Sequence, residues 1–331
     1  MNVLEEYLQR QKQQKTVSLW LPGHCGAWYP PYREYLNKQG ASNQFESTDE
    51  LQILLKETSL ALGLAFYDEI SHPLAAGRYL GMNPVSSNEG VIGYESLIYS
   101  PSQIQNLAVR EEEIEIKKAL DSDLENMIGI LRHVGPFTMT GYLIEGQAEW
   151  QPRFRTLLFQ YPTQARILLQ KATDAIIQWV EAQHPFHKKV LLIDETWSDL
   201  IQPEDQDVFI TPWLEYLITK LPNTPIILKA SGLEHEIKRF YKAGLSAFIP
   251  DMHVNFDEIR QQTAYSMILA TPFDSGRLLS TPAVIKQTAG RYLERVGCED
   301  VLVTLHSEPL PHTSLAQIQA WIEAIHTYSC D

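Results

Sequence analysis

Short apolar runs alternate with longer amphipathic or polar stretches along the whole chain. Eight such runs occur in 331 residues, and each ends in a polar or turn-forming residue or, for the first run, directly before Pro22. Strands that alternate with helices form a parallel sheet, and eight of them most economically close into a (β/α)8 barrel. The pattern therefore predicts an α/β protein built on one TIM barrel. The runs are Val17–Leu21, Leu62–Asp68, Met127–Gly135, Val190–Thr196, Pro225–Ser231, Leu245–Asp251, Ser266–Thr271 and Val301–His306.

Three segments between the runs show the spacing of amphipathic helices. Apolar residues recur at helical intervals in Leu51–Leu60, in Thr163–Gln183 and in Leu315–Ile325. Ser314 precedes the last of these segments and is a good N-cap. We expect these helices to cover the outside of the barrel.

The chain between the second and third runs is longer than one helix requires. Asn83–Gly90 is rich in turn-forming residues and predicts a loop, whereas Val91–Ser100 alternates enough to predict a strand or a hairpin. Arg110–Lys118 is highly charged and predicts a solvated helix. The sequence therefore predicts an insertion after the second strand, which enlarges one rim of the barrel.

The length of the chain is normal for one barrel with loop insertions. Residues 1–15 are rich in Glu, Gln, Lys and Arg, so they predict a polar N-terminal arm with no secretory signal. Residues 16–331 then form a single barrel domain. No apolar run approaches the roughly 18 residues of a membrane span, and we expect a cytoplasmic protein.

The charge balance bears on the choice of partner. Lys and Arg number 27 against 41 Asp and Glu, which gives a formal net charge of -14. Such a chain repels nucleic acid and anionic membranes, so we expect a small-molecule substrate. The three cysteines are too few and too irregularly spaced for a disulfide framework or a paired Cys-x-x-Cys metal site.

Active sites of (β/α)8 barrels lie at the C-terminal ends of the strands. Polar residues that leave the eight runs are therefore the candidates for chemistry. They are His24, Cys25, Asp68, Tyr142, Asp194, Glu195, Thr196, Lys229, Asp251, His253, Asp274 and His306.

Several segments, taken in chain order, resemble the motifs of one known family. Trp20–Tyr32 is similar to its N-terminal signature, Leu64–Ile70 to a Phe-Ser-Asp-Ile strand end, and Gly135–Gly146 to its Pro-(Trp/Phe)-Thr-Leu-Ala-Thr-Tyr-Met-(Val/Ile)-Glu-Gly motif. Glu195–Trp197 and Leu305–His306 fit two further strand-end turns of the family. Taken together, these segments resemble the uroporphyrinogen decarboxylase superfamily, which has a single (β/α)8 domain and also includes cobamide-dependent thiol methyltransferases.

The resemblance implies roles for individual residues. Asp68 matches the central carboxylate, which in the family accepts hydrogen bonds from pyrrole N–H groups and stabilises positive charge on the ring during decarboxylation. Tyr142 and His306 complete the predicted catalytic group, with His306 relaying a proton, and Thr196 binds substrate. The other predicted substrate-binding residues are His24, Trp28, Phe137, Lys229 and Arg78.

The chain departs from the family at its N-terminal signature. Gly23 and Ala27 stand where the family has arginines that bind substrate carboxylates. Each lost charge-assisted hydrogen bond is worth about 1.5–3 kcal/mol. We therefore expect uroporphyrinogen, with its eight carboxylates, to be recognised less well unless Arg33, Arg78 or Lys229 compensates.

Three functional hypotheses follow from these matches and departures. The first is a carboxy-lyase that acts on a tetrapyrrole or another carboxylated ring and needs no cofactor. The second is a methyl or alkyl transferase that uses zinc or another divalent metal, held by His24, Cys25 and nearby carboxylates. The third is a non-catalytic tetrapyrrole-binding protein. The family resemblance also implies a homodimer.

Each predicted site residue has a purely structural alternative. Asp68 can cap the helix that follows it, Tyr142 can be a half-buried aromatic residue, and the His306 ring can bond a backbone group. Asp194 and Glu195 are adjacent on a strand, so their side chains point to opposite faces. At most one of these two carboxylates is expected to line the barrel.

Overall fold

Eight parallel strands form the centre of the molecule. In the computed structural model they follow the hydrogen-bonded order β1-β10-β9-β8-β7-β6-β5-β2, which makes a nearly closed (β/α)8 barrel and confirms the predicted fold. Each predicted run overlaps one of these strands, although β6 begins one residue before its run and β9 ends two residues beyond its run. The strands are β1 Ser18–Leu19, β2 Phe66–Asp68, β5 Ile128–Val134, β6 Lys189–Glu195, β7 Ile226–Ala230, β8 Ala247–Ile249, β9 Ile268–Phe273 and β10 Val301–Leu305.

The structure describes most of the chain. The described residues are 2–14, 17–21, 48–69, 74–87, 90–109, 127–146, 151–183, 189–297, 300–310 and 312–328. The predicted helix Arg110–Lys118 lies outside them. No helix in these ranges combines the length and apolarity that crossing a bilayer requires.

The insertion after β2 contains a two-stranded antiparallel hairpin. Its strands are β3 Pro84–Ser87 and β4 Gly90–Tyr94. The prediction of a strand or hairpin near Val91 is confirmed, but the prediction of a loop at Asn83–Gly90 is wrong. The turn-forming residues there do form a strand, because pairing with β4 supplies hydrogen bonds that outweigh local propensity.

Helices cover the outside of the barrel, and the predicted helices are confirmed. Ser314 begins the last helix with a capping box: its hydroxyl accepts the Gln317 N–H, and the Gln317 side chain accepts the Ser314 N–H. The α-helices are Val3–Gln14, Thr48–Ala61, Gln103–Asn106, Pro136–Glu145, Pro152–Gln160, Pro162–Ala182, Pro203–Phe209, Thr211–Lys220, Ile237–Ala243, Phe256–Gln262, Pro282–Val296 and Leu315–His326.

The polar N-terminal arm is a helix that packs across the N-terminal ends of the strands. Leu4 and Leu8 are buried in the same cluster as the inward-facing strand residues. The Tyr7 ring lies 4.9 Å from that of Phe66 on β2. Residues 1–15 are therefore more than a polar arm. The few apolar residues of this helix share one face and close the barrel at this end.

Side chains alternate between the inside and the outside of each strand. On β5, Ile128 and Ile130 join the interior cluster, whereas Leu131 packs with the surrounding helices. The same alternation places Arg132 inside the barrel, one pleat closer to the C-terminal end. The interior is thus apolar near its base and becomes charged near its mouth.

Candidate active site

A cleft of about 380 Å³ opens at the C-terminal ends of the barrel strands. This is the face that carries the active site in (β/α)8 enzymes. Its walls combine apolar side chains with several charged ones, as ligand sites commonly do. The described residues that line it are Trp20, Asp68, Arg132, Leu192, Asp194, Lys229, Ile249, Leu305, His306, Ser307, Glu308, Pro309 and Leu310.

Four neighbouring strands each contribute one charged side chain to this cleft. In sheet order they are Asp68 on β2, Arg132 on β5, Asp194 on β6 and Lys229 on β7. We call these four residues the charge row. Their signs alternate from strand to strand, so each charge has an opposite charge on the adjacent strand.

Asp194 is the centre of the charge row. Its Oδ2 accepts hydrogen bonds from Arg132 Nη2 at 2.7 Å and from Lys229 Nζ at 3.2 Å. Its Oδ1 accepts a hydrogen bond from the Thr196 hydroxyl at 3.0 Å. Burial alone would raise the pKa of Asp194, but the two cations lower it below its ordinary value. The carboxylate is therefore ionised and holds both cations in place.

Asp68 is buried at the end of β2, with 7% of its surface exposed. Its Oδ1 accepts a hydrogen bond from the Trp20 indole N–H at 3.0 Å. The register of the sheet places Asp68 beside Ile130, two residues before Arg132 on the adjacent strand. A carboxylate shielded from water in this way interacts strongly with positive charge that develops in the cleft.

His306 and Glu308 follow β10 at the mouth of the cleft. Burial and Lys229 lower the pKa of His306, against the opposing effect of Asp251, so its imidazole is mainly neutral at pH 7. Glu308 Oε1 lies 3.6 Å from Arg132 Nη1. Burial raises the pKa of Glu308 above its ordinary value, although Arg132 and Lys229 act in the opposite direction.

Glu195 lies on the opposite face of β6 from Asp194 and is fully buried. Its carboxyl group receives the backbone N–H groups of Phe137 at 3.2 Å and Thr138 at 2.6 Å, and also the Thr138 hydroxyl. These N–H groups belong to the first turn of the helix Pro136–Glu145, where an acceptor is needed. The structure thus confirms that only one of the two adjacent carboxyl groups lines the cleft.

Tyr142 and Thr196 lie next to the charge row without lining the cleft. The Tyr142 ring stacks on Trp197 at 4.8 Å. Burial raises the pKa of the Tyr142 hydroxyl, and the nearby Asp194 carboxylate adds to this effect. Thr196 is therefore linked to Asp194 by a hydrogen bond, and Tyr142 is close enough to Asp194 to be affected by its charge.

The remaining predicted site residues fall into two groups. Among the described ones, Phe137 is buried in the core with its ring 4.8 Å from that of Phe154, and Arg78 is exposed on a 3₁₀-helix, so neither lines the cleft. Phe137 lies in the helix Pro136–Glu145 and packs with the outer core. Gly23, His24, Cys25, Ala27 and Trp28 lie outside the described residues.

Two charged residues of the cleft, Arg132 and Glu308, were not predicted from the sequence. Arg132 lies in the middle of a predicted apolar run, and its inward position follows from its spacing of two and four residues from Ile130 and Ile128. Glu308 lies three residues beyond β10, where no pattern marks it. Within the described ranges, no three His, Cys, Asp or Glu side chains are grouped as a metal site.

Comparison with known proteins agrees with this architecture. A uroporphyrinogen decarboxylase from Microcystis aeruginosa is 24% identical over 330 residues, covering 94% of this chain and 93% of that protein. Another, from Crocosphaera subtropica, is 25% identical over 287 residues and covers 81% and 79%. A solved methyltransferase from Methanosarcina mazei shares the fold, with a TM-score of 0.74 and 17% identity over 98% of both chains. Residues 98–328 match the family described as uroporphyrinogen decarboxylase (URO-D), and the chain belongs to that family.

Proposed function

We propose that this protein is a carboxy-lyase that removes carbon dioxide from a side chain of a pyrrolic ring, either a tetrapyrrole or a smaller compound. The observation that carries the proposal is the buried Asp68 carboxylate, which faces the cleft at the end of β2 and is oriented by Trp20. The relatives named uroporphyrinogen decarboxylase support the same class of reaction.

The chemistry requires a temporary positive charge on the ring. A proton added to a ring carbon next to the side chain makes the ring cationic. The bond between the methylene and carboxylate carbons then breaks, carbon dioxide leaves, and its electron pair neutralises the ring. A proton added to the exocyclic methylene and loss of the first proton give a methyl group, so one proton is consumed overall.

Asp68 acts on the cationic ring in this scheme. Its carboxylate accepts the ring N–H and stabilises the positive charge that precedes bond cleavage. The neutral His306 imidazole suits the last step, in which a base removes the first proton from the ring carbon. Thr196 acts through its hydrogen bond to Asp194 and helps to keep the charge row in place, and Tyr142 lies next to the row, stacked on Trp197.

Substitution of Asp68 tests the proposal. The protein is incubated without oxygen with uroporphyrinogen and, separately, with a pyrrole that carries acetate and propionate side chains, and loss of carbon dioxide is followed by mass spectrometry. We expect wild-type turnover and a fall of about 10²–10³-fold in Asp68→Asn, which keeps the shape and removes the charge. Trp20→Phe, which replaces the indole by a smaller ring without an N–H donor, should lose about tenfold.

Asp257→Asn is the matched control, because it makes the same chemical change on the exposed side of the helix Phe256–Gln262. Its turnover should equal that of wild type. Absence of carbon dioxide from both substrates, or equal turnover in Asp68→Asn and wild type, would contradict the proposal. Tight binding without turnover would instead favour a non-catalytic tetrapyrrole-binding protein.

The second candidate is a metal-dependent methyl or alkyl transferase. The fold shared with the Methanosarcina mazei methyltransferase favours it. It requires zinc or another divalent metal, and its proposed ligands are His24 and Cys25. One metal ion per chain in the purified protein, lost in His24→Ala, would support this function over the carboxy-lyase.

A further inference from the structure

The charge row carries no net charge. Asp68 and Asp194 balance Arg132 and Lys229, and Glu308 adds one more carboxyl group at the mouth of the cleft. Arg132 and Lys229 already share one oxygen of Asp194. The described lining of the cleft therefore offers little attraction to a ligand with many carboxylates, and its alternating signs complement a ligand that has few.

The size of the cleft also favours a small ligand. Its volume of about 380 Å³ lies near the lower end of the roughly 300–1,000 Å³ found for sites of drug-sized ligands. The apolar part of the lining includes Leu192, Ile249 and Leu305. One flat ring with short side chains fits within this space.

The two terminal nitrogens of Arg132 have different partners. Nη2 is 2.7 Å from the Asp194 carboxylate, whose side chain is 4% exposed. Nη1 faces Glu308 at the longer distance of 3.6 Å, and the Glu308 side chain is 24% exposed. Glu308 is thus a weak partner at the open end of the cleft, and a ligand carboxylate can replace it there.

We infer that the cleft selects a single pyrrolic ring with two carboxylate side chains, one bound at Arg132 and Lys229 in place of Glu308, and the other available for removal. The ring N–H then faces Asp68. This inference rests on the proposed carboxy-lyase function and specifies its substrate class. Glu308 becomes a specificity-determining residue, because its charge competes with the anchoring carboxylate.

Binding measurements with three probes test the inference. Dissociation constants are measured by calorimetry for the acetate-propionate pyrrole, for the same pyrrole with a propyl group in place of propionate, and for uroporphyrinogen without oxygen. We expect the two-carboxylate pyrrole to bind at least about tenfold more tightly than the propyl analogue, since one charge-assisted pair is gained. It should also bind more tightly than uroporphyrinogen, whose many carboxylates meet a charge row with no net charge. Equal or tighter binding of uroporphyrinogen, or no binding of the two-carboxylate pyrrole, would overturn the inference.

Glu308→Gln tests the competition directly. It removes the competing charge from a partly exposed loop residue, so the dicarboxylate pyrrole should bind about three- to tenfold more tightly. Glu323→Gln, which makes the same change at an exposed position of the last helix, should bind like wild type. Unchanged or weaker binding in Glu308→Gln would contradict the role of this residue.

The dissociation constants and the release of carbon dioxide together distinguish the proposed carboxy-lyase reaction from the proposed ligand class. Preferred binding of the dicarboxylate pyrrole without release of carbon dioxide would contradict the carboxy-lyase and retain the ligand class. Decarboxylation of uroporphyrinogen together with its tighter binding would support the carboxy-lyase and overturn the ligand class.

Discussion

Asp194 and Glu195 are neighbours at the end of β6, yet they lie in two different regions of the molecule. Asp194 points into the cleft, and Glu195 points outward to the first turn of the helix Pro136–Glu145. Both are buried, with 3% and 0% of their surface exposed. Their burial is therefore almost equal, and their partners differ.

The difference in partners reverses the effect on ionisation. Burial would raise the pKa of both groups, but Lys229 and Arg132 lower that of Asp194. Glu195 has hydrogen-bond donors and no cation among its described partners, and burial raises its pKa to about 7. Nearby charge, rather than burial alone, decides which carboxyl group serves the site and which joins a strand to a helix.

The largest expected effect comes from removing the charge of Asp194, which faces the cleft. Asp194→Asn leaves Arg132 and Lys229 without their shared counter-ion, so the free energy of unfolding should fall by about 3 kcal/mol. Urea unfolding at pH 7 measures it. Asp174→Asn, on the outer helix Pro162–Ala182, is the control and should cost less than about 1 kcal/mol. Similar losses in the two variants would mean that Asp194 does not hold the charge row together.

The Glu195 carboxyl group should make the free energy of unfolding depend on pH. The folded protein holds the Glu195 proton more tightly than the unfolded chain, whose Glu titrates near 4.5. This group therefore destabilises the fold progressively as the pH rises from 4.5 to about 7, by up to about 3 kcal/mol. Relative to wild type, Glu195→Gln should gain stability between pH 5 and pH 8 in urea unfolding. A difference that stays constant with pH would contradict this account.

Gly135 makes room for Glu195 against the start of the helix. A Cβ atom at this position would lie 2.0 Å from Glu195 Oε2. Gly135→Ala should therefore destabilise the protein by about 1–3 kcal/mol, because neither group can move far in a packed core. Gly290→Ala, in a helix with nothing within 4 Å of the added atom, should be neutral or stabilising by up to about 1 kcal/mol. Thermal unfolding of both variants gives the comparison.

The barrel was predictable because its strands are buried on both faces and read as continuous apolar runs. Two local features were not. Pro84–Ser87 has the composition of a loop and becomes a strand only through pairing with β4. Leu4 and Leu8 are sparse among polar residues, and only the folded barrel shows that they close one of its ends.

The site residues were predictable where a polar side chain lies at the C-terminal end of a strand. The structure brings the predicted Asp68, Lys229 and His306 into one cleft. Arg132 escaped prediction because an apolar run identifies a strand without saying which of its residues face inward. Glu308 escaped because its position depends on the path of a loop, which no periodicity describes.

The smallest expected effect concerns the imidazole at the mouth of the cleft. Lys229 contributes to the lowered pKa of His306, second to burial. Lys229→Gln should therefore raise the pKa of His306 towards its ordinary value, as followed by NMR titration of the imidazole C–H. Lys286→Gln, which removes an exposed cation paired with Glu323, should leave the titration unchanged. An unchanged titration in Lys229→Gln as well would mean that Asp194 fully neutralises Lys229, and the charge row would then act on His306 as a neutral unit.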